Sequence, residues 1–129
     1  MPGINRVILI GNLGKDPDTH LTTTGKQVTN FTLAVTERRK TGGEIKEYTE
    51  WFNVEAWGWL SDVCQKYLHK GSLIYLEGRL QTDRYEDKEG ETKYFTKIVA
   101  NNIKMLDRKR DQEQEPALEV EEQPAEYEV

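Results

Sequence analysis

The sequence predicts a mainly all-β fold, a five-stranded barrel with one α-helix between its third and fourth strands. Three observations predict it. Several stretches alternate apolar and polar residues, and two charged, glycine-containing connections (residues 38–47 and 87–91) have the character of hairpin loops. Only one segment, residues 59–68, changes the apolar period from two to that of a helix.

Taken in order, residues 4–13 form a short, almost continuous apolar run ended by Gly14 and Asp16-Pro17, which predicts a first strand covered on both faces. The polar stretch 18–26, with three successive threonines and Gly25, reads as a loop. Residues 27–37 alternate, with Phe31, Leu33 and Val35 on one face and Asn30, Thr32, Ala34 and Thr36 on the other. After the Gly42-Gly43 hairpin loop comes a third strand, 49–57. Leu60, Val63, Cys64, Tyr67 and Leu68 then fall on one helical face, Ser61 and Asp62 occupy a polar first turn, and Lys70-Gly71 stops the helix. Residues 72–83 return to strand, and residues 92–106 complete the second hairpin. Five strands with a helix between the third and fourth is the arrangement of an OB-fold, a partly open Greek-key barrel that commonly binds oligonucleotides.

The 129 residues suffice for one domain. Residues 1–110 carry all 18 Lys and Arg against 15 Asp and Glu, whereas residues 111–129 carry eight acids and no base. The formal charge of −5 therefore averages a mildly basic domain and an acidic tail, an asymmetry that points towards nucleic acid. The expected division is an OB-fold domain at 1–108 and a disordered, Glu- and Gln-rich tail at 109–129. One cysteine, Cys64, excludes an internal disulfide and suits a reducing compartment. The absence of an apolar run of about 18 residues and of a signal-peptide pattern completes the expectation of a cytoplasmic protein.

The third strand holds the most informative face. Phe52, Val54 and Ala56 point one way, towards a core, while Trp51, Asn53, Glu55 and Trp57 point the other. Either tryptophan alone could pack under a loop or in a subunit interface. Their company favours nucleobases: Tyr75, Arg79 and Tyr85 share a parity, Arg38, Arg39, Lys40 and Lys46 line the adjoining hairpin, and Lys93 and Lys97 share a face of the last strand. Rings stack on bases and cations meet phosphates, and neither term reads sequence. Chemistry of other kinds has thin support. His20, His69 and Cys64 are too few and too scattered for a zinc site, and residues 11–16 lack the glycine and the Ser or Thr that a phosphate loop requires. No metal or cofactor is expected.

The motifs Asn5-Arg6-Val7-Ile8-Leu9-Ile10-Gly11-Asn12-Leu13-Gly14-Lys15-Asp16-Pro17, Asn30-Phe31-Thr32-Leu33-Ala34, Thr49-Glu50-Trp51, Tyr67-Leu68-His69-Lys70-Gly71 and Tyr75-Leu76-Glu77-Gly78-Arg79-Leu80 follow one another in an order and spacing that resembles bacterial single-stranded DNA-binding proteins. The resemblance spans residue 3 to about 107. It implies an OB-fold that assembles as a homotetramer, for which a doubly apolar first strand is suited, and that wraps single-stranded DNA during replication, recombination and repair. It implies stacking by Trp51, Trp57 and Tyr85 and cationic contacts from Arg6, Lys70 and Arg84. A further stacking tryptophan of the family corresponds to Arg39 here. The family's aspartate-rich tip, which recruits replication and repair proteins, is replaced by Glu126-Tyr127-Glu128-Val129. Two rival readings stay open: a primosomal-type accessory module whose tryptophans pack against protein, and a small metal-dependent nuclease, which the scattered acids of the chain support weakly.

Overall fold

A computed structural model describes residues 2–107 of the chain, so the expected boundary at 108 and the acidic tail lie outside the described residues. The elements are β1 (Val7–Leu13), β2 (Asp18–Leu21), β3 (Gln27–Thr41), β4 (Glu44–Trp57), α1 (Trp59–Tyr67), β5 (Leu73–Glu86) and β6 (Thr92–Met105). β1, β5, β6, β4 and β3 pair in that order, and β3 returns to β1 through Asn12–Ala34 and Leu13–Leu33, closing a five-stranded barrel. All pairings are antiparallel except β4 with β6, a short parallel join at Val54–Ile98 and Glu55–Val99. The expected OB-fold is present, with its helix between the third and fourth barrel strands.

Alternation fills the barrel. Phe31 and Leu33 from β3, Val54 and Ala56 from β4, Ile74 and Leu76 from β5, and Ile98 and Ala100 from β6 point inward and are buried. Leu60, Cys64 and Leu68 from the helix and the residue beyond it join the same cluster. The first turn of the helix is less polar in its setting than its sequence suggests. Ser61 is fully buried, with its hydroxyl 2.6 Å from that of Thr29, while Gln27 Nε2 donates to Asp62 at 2.9 Å. These bonds supply the partners that buried hydroxyls require.

Three expectations need correction. The stretch 18–26 is not all loop, because Asp18–Leu21 pairs with Gln27–Asn30 as β2. It lacks an apolar alternation because it lies mostly in solvent, and the side-chain bond Thr19–Thr29 at 2.7 Å contributes where burial does not. The stretch 38–47 is mostly ladder: Arg38 faces Glu47, Arg39 faces Lys46, and only Gly42-Gly43 turns, at φ values of 60° and 85°. Two consecutive positive φ angles define the turn that matches strand twist, and glycine adopts them at little cost. Charged residues occupy both faces there because water covers both. Finally, β1 begins at Val7 and Ile4 is 94% exposed; on the outer face Ile8 is 52% exposed and Ile10 half-buried, so one chain leaves that face of β1 partly uncovered.

Candidate nucleic-acid interface

The β4 face identified from alternation points outward. Trp51 is 59% exposed and Trp57 38%, while Val54 and Ala56 between them are buried. Trp51 lies opposite Ala34 and Trp57 opposite Val28 on β3, so small or buried neighbours leave one face of each ring uncovered. A methyl group built on Gly14 would run into the Trp51 ring, and it would come within 2.9 Å of Thr32 Oγ1. The absent side chain at Gly14 is what lets that indole lie down across the end of β1.

Between the two tryptophans the outer surface sinks into a recess of about 360 Å³. Asn30 and Thr32 of β3, Asn53 and Glu55 of β4, and Phe95 and Lys97 of β6 line it, together with Lys15 and Asp18. Amides, a half-exposed ring and charges of both signs converge there, the combination that holds an unstacked base by its face and its edge.

Lys97 crosses the parallel join between β4 and β6. Its Nζ donates to Glu55 Oε2 and to Asp83 Oδ2, each at 2.9 Å, and the Lys97 and Glu55 side chains are each only 13% exposed. Trp57 Nε1 donates to the other Glu55 oxygen, Oε1, at 2.9 Å. Gln81 donates from Nε2 to Asp83 Oδ1 at 3.1 Å, and its Oε1 accepts from Arg79 at 3.1 Å, so a chain of polar contacts runs from Arg79 to the Trp57 indole. Burial opposes the Lys97 charge, but the bonds to Asp83 and Glu55 outweigh it and hold the ammonium above its ordinary pKa. The same Lys97 bond, with that from Gln81, lowers the pKa of Asp83.

The remaining expected residues divide by face. On β5, Ile74, Leu76 and Gly78 are buried and the odd-numbered residues point out. The irregularity at Glu77/Gly78 places its extra residue in β6, where the partner changes from Asn102 to Ala100, so Tyr75, Arg79 and Tyr85 keep a common side. Tyr85 faces Lys93, which lies 3.7 Å from Asp87. Arg84 points to the opposite side, opposite Tyr94. In the β3–β4 hairpin, Arg38 and Lys40 share the Trp51 side, and Arg38 lies 3.4 Å from Glu47. Arg39 and Lys46 take the other side, where the Arg39 guanidinium sits 4.7 Å from the Tyr48 ring centroid and bonds Glu37 at 3.1 Å. Arg6 pairs with Glu77 at the start of β1, and Lys70 stands beyond its far end, its backbone N–H bound to Asp16. The tryptophans, Lys97 and the recess thus share the outer face of β4 and β6, with Arg38 and Lys40 on the same side of the hairpin, while Arg39, Lys46 and Arg84 face the other way.

Sequence reading missed Phe95. The signal was available, since Lys93, Phe95 and Lys97 share a parity on β6, but the ring was not weighed with the lysines. It could not reveal that Lys97 meets two carboxylates, because those partners come from strands distant in sequence.

Among the described residues, no helix is long and apolar enough to cross a membrane. Residues 4–106 match the model of the family described as "Single-strand binding protein family". The chain is 49% identical over 106 residues to single-stranded DNA-binding protein 1 of Chlorobaculum tepidum, covering 81% of this chain and 65% of the relative. It is equally 49% identical over 105 residues to the single-stranded DNA-binding protein of Xanthomonas axonopodis pv. citri, covering 81% and 58%. The chain therefore spans about three fifths of the length of the curated relatives it matches. Among solved structures, the Plasmodium falciparum SSB complex with ssDNA superposes with a TM-score of 0.77 at 28% identity, covering 83% of this chain and 98% of that one.

Proposed function

Because the chain belongs to the single-strand binding protein family, we propose that it binds and protects single-stranded DNA without reading its sequence, and that it catalyses no reaction. The observation that carries this reading is the exposed face of β4, where Trp51 and Trp57 flank a recess lined by Phe95 and two amides. Bases stack on Trp51, Trp57 and Tyr85, with Phe95 as a further platform. Arg6, Arg38, Arg39, Lys40, Lys46, Lys70, Arg79, Arg84 and Lys93 supply cations along the path of the strand, on both sides of the two projecting hairpins. The protein acts as a homotetramer in the cytoplasm, associated with the nucleoid, in replication, recombination and repair. The exposed Ile8 on the outer face of β1 supports assembly, since burying it requires a second copy or another partner. The acidic tail is the candidate contact for replication and repair proteins.

Titration with oligo-dT at several salt concentrations tests the reading. Tryptophan fluorescence should be quenched, and the logarithm of affinity should fall linearly with that of salt. Trp51→Ala and Trp57→Ala should each weaken binding by about 1–3 kcal/mol, the worth of one stacked base. A folded protein whose fluorescence does not respond at low salt would sink the proposal. A Trp57→Ala variant with unchanged affinity would favour the accessory-module reading. Light scattering of the same samples should report four subunits.

A further inference from the structure

Lys97 looks, in sequence, like one more phosphate contact, but its setting is that of a different kind of residue. Its ammonium is almost enclosed and spends two of its three donors on Glu55 and Asp83. Reaching a phosphate would mean leaving two carboxylates on the very face the strand approaches. The bonds lead elsewhere. Glu55 offers one oxygen to Lys97 and the other to the Trp57 indole N–H, so the carboxylate that Lys97 immobilises fixes the ring. Gln81 and Arg79 secure Asp83 from the far side.

We infer that Lys97 is a positioning residue of the strand-binding face: together with Asp83 it locks Glu55, and Glu55 holds the Trp57 indole in the orientation a base stacks upon. This rests on the proposed strand binding. A ring fixed before binding loses less freedom when a base arrives, so affinity rises without a new contact. With one ammonium against two carboxylates the cluster carries no surplus positive charge, leaving phosphate attraction to the exposed hairpin cations.

The test uses the paired variant Glu55→Gln/Lys97→Gln, which removes one charge of each sign and so leaves the net charge unchanged. Circular dichroism establishes folding, and Lys97→Arg, which can still bridge both carboxylates, serves as the conservative control and as the second probe should the pair fail to fold. Two readouts separate the roles. In free protein carrying Trp51→Phe and Trp59→Phe, Trp57 is the sole tryptophan, and the paired change should lower its fluorescence anisotropy while Lys97→Arg preserves it. In the otherwise native chain, affinity for oligo-dT should fall about threefold to tenfold, part of one stacking contribution, with the slope of log affinity against log salt unchanged. A slope reduced by about 0.7, the signature of one lost single-strand phosphate contact, would overturn the inference. So would an unaltered Trp57 anisotropy, or an anisotropy that Lys97→Arg lowers as far as the paired variant does. If native protein fails to bind oligo-dT, the proposed function fails, while the anisotropy measurement still decides whether Lys97 holds the ring.

Discussion

Cys64 lies fully enclosed between the helix and the barrel, where burial raises its thiol pKa from 9.0 to about 12. The unfolded chain ionises this thiol about three units earlier, so the contribution is fully present below pH 9 and is lost as pH rises from 9 towards 12. Cys64→Ala should cost about 1 kcal/mol at neutral pH, the scale of deleting one buried heavy atom. It should also flatten the alkaline loss of stability, measured as the difference in urea midpoint between pH 7.5 and 10.5 for the two proteins. Single residues also show where sequence reading reached and where it stopped. The exposed rings of Trp51 and Trp57 follow from period-two alternation alone, because neighbours along one strand decide which way each points. The state of Lys97 does not, since its partners Glu55 and Asp83 reach it from two other strands. Arg39 is intermediate: its place in the hairpin was legible, but its seat on Tyr48 depends on a diagonal cross-strand pair.

The barrel strands were legible as elements because each buries one face, and burial imposes the alternation. Where an element is wet on both sides the pattern disappears, which is why β2 and the outer halves of β3 and β4 read as loop. The β3–β4 hairpin beyond Thr36 has little stake in the core, as its outer residues are exposed on both faces. Replacing residues 39–46 by a two-residue Asn-Gly turn should therefore leave the melting transition of the barrel nearly intact. It removes Arg39, Lys40 and Lys46, so the salt slope of oligo-dT binding should become shallower by up to about 2, at about 0.7 per lost phosphate contact. Circular dichroism melts and salt-dependent titrations on the same variant measure both effects. An unchanged slope would place the strand elsewhere than along this hairpin.

On the scale of the whole molecule the charge is divided, with a net of +3 in residues 1–110 (18 bases, 15 acids) and eight acids in residues 111–129. Acids on the same chain compete with phosphate for the same cations. A chain ending at residue 110 should bind oligo-dT more tightly at low salt, with the gain fading as salt screens both interactions, and isothermal titration at two ionic strengths checks it. Equal or weaker affinity would show that the tail does not occupy the binding surface. The parallel join of β4 to β6 carries a further consequence, for the order in which the molecule assembles. Both long hairpins pair residues near in sequence, whereas Val54 and Ile98 are 44 positions apart. Contacts so distant repay their loop-closure entropy only after the local ones exist. This line, which runs beneath Glu55 and Lys97, thus closes only after both hairpins have formed, as does the β1–β5 ladder, whose partners lie 61–71 positions apart. A DNA strand bound across β4 and β6, as proposed, would span that closing line from outside and act as a staple, stabilising the closed barrel by mass action against the chain with its seam undone.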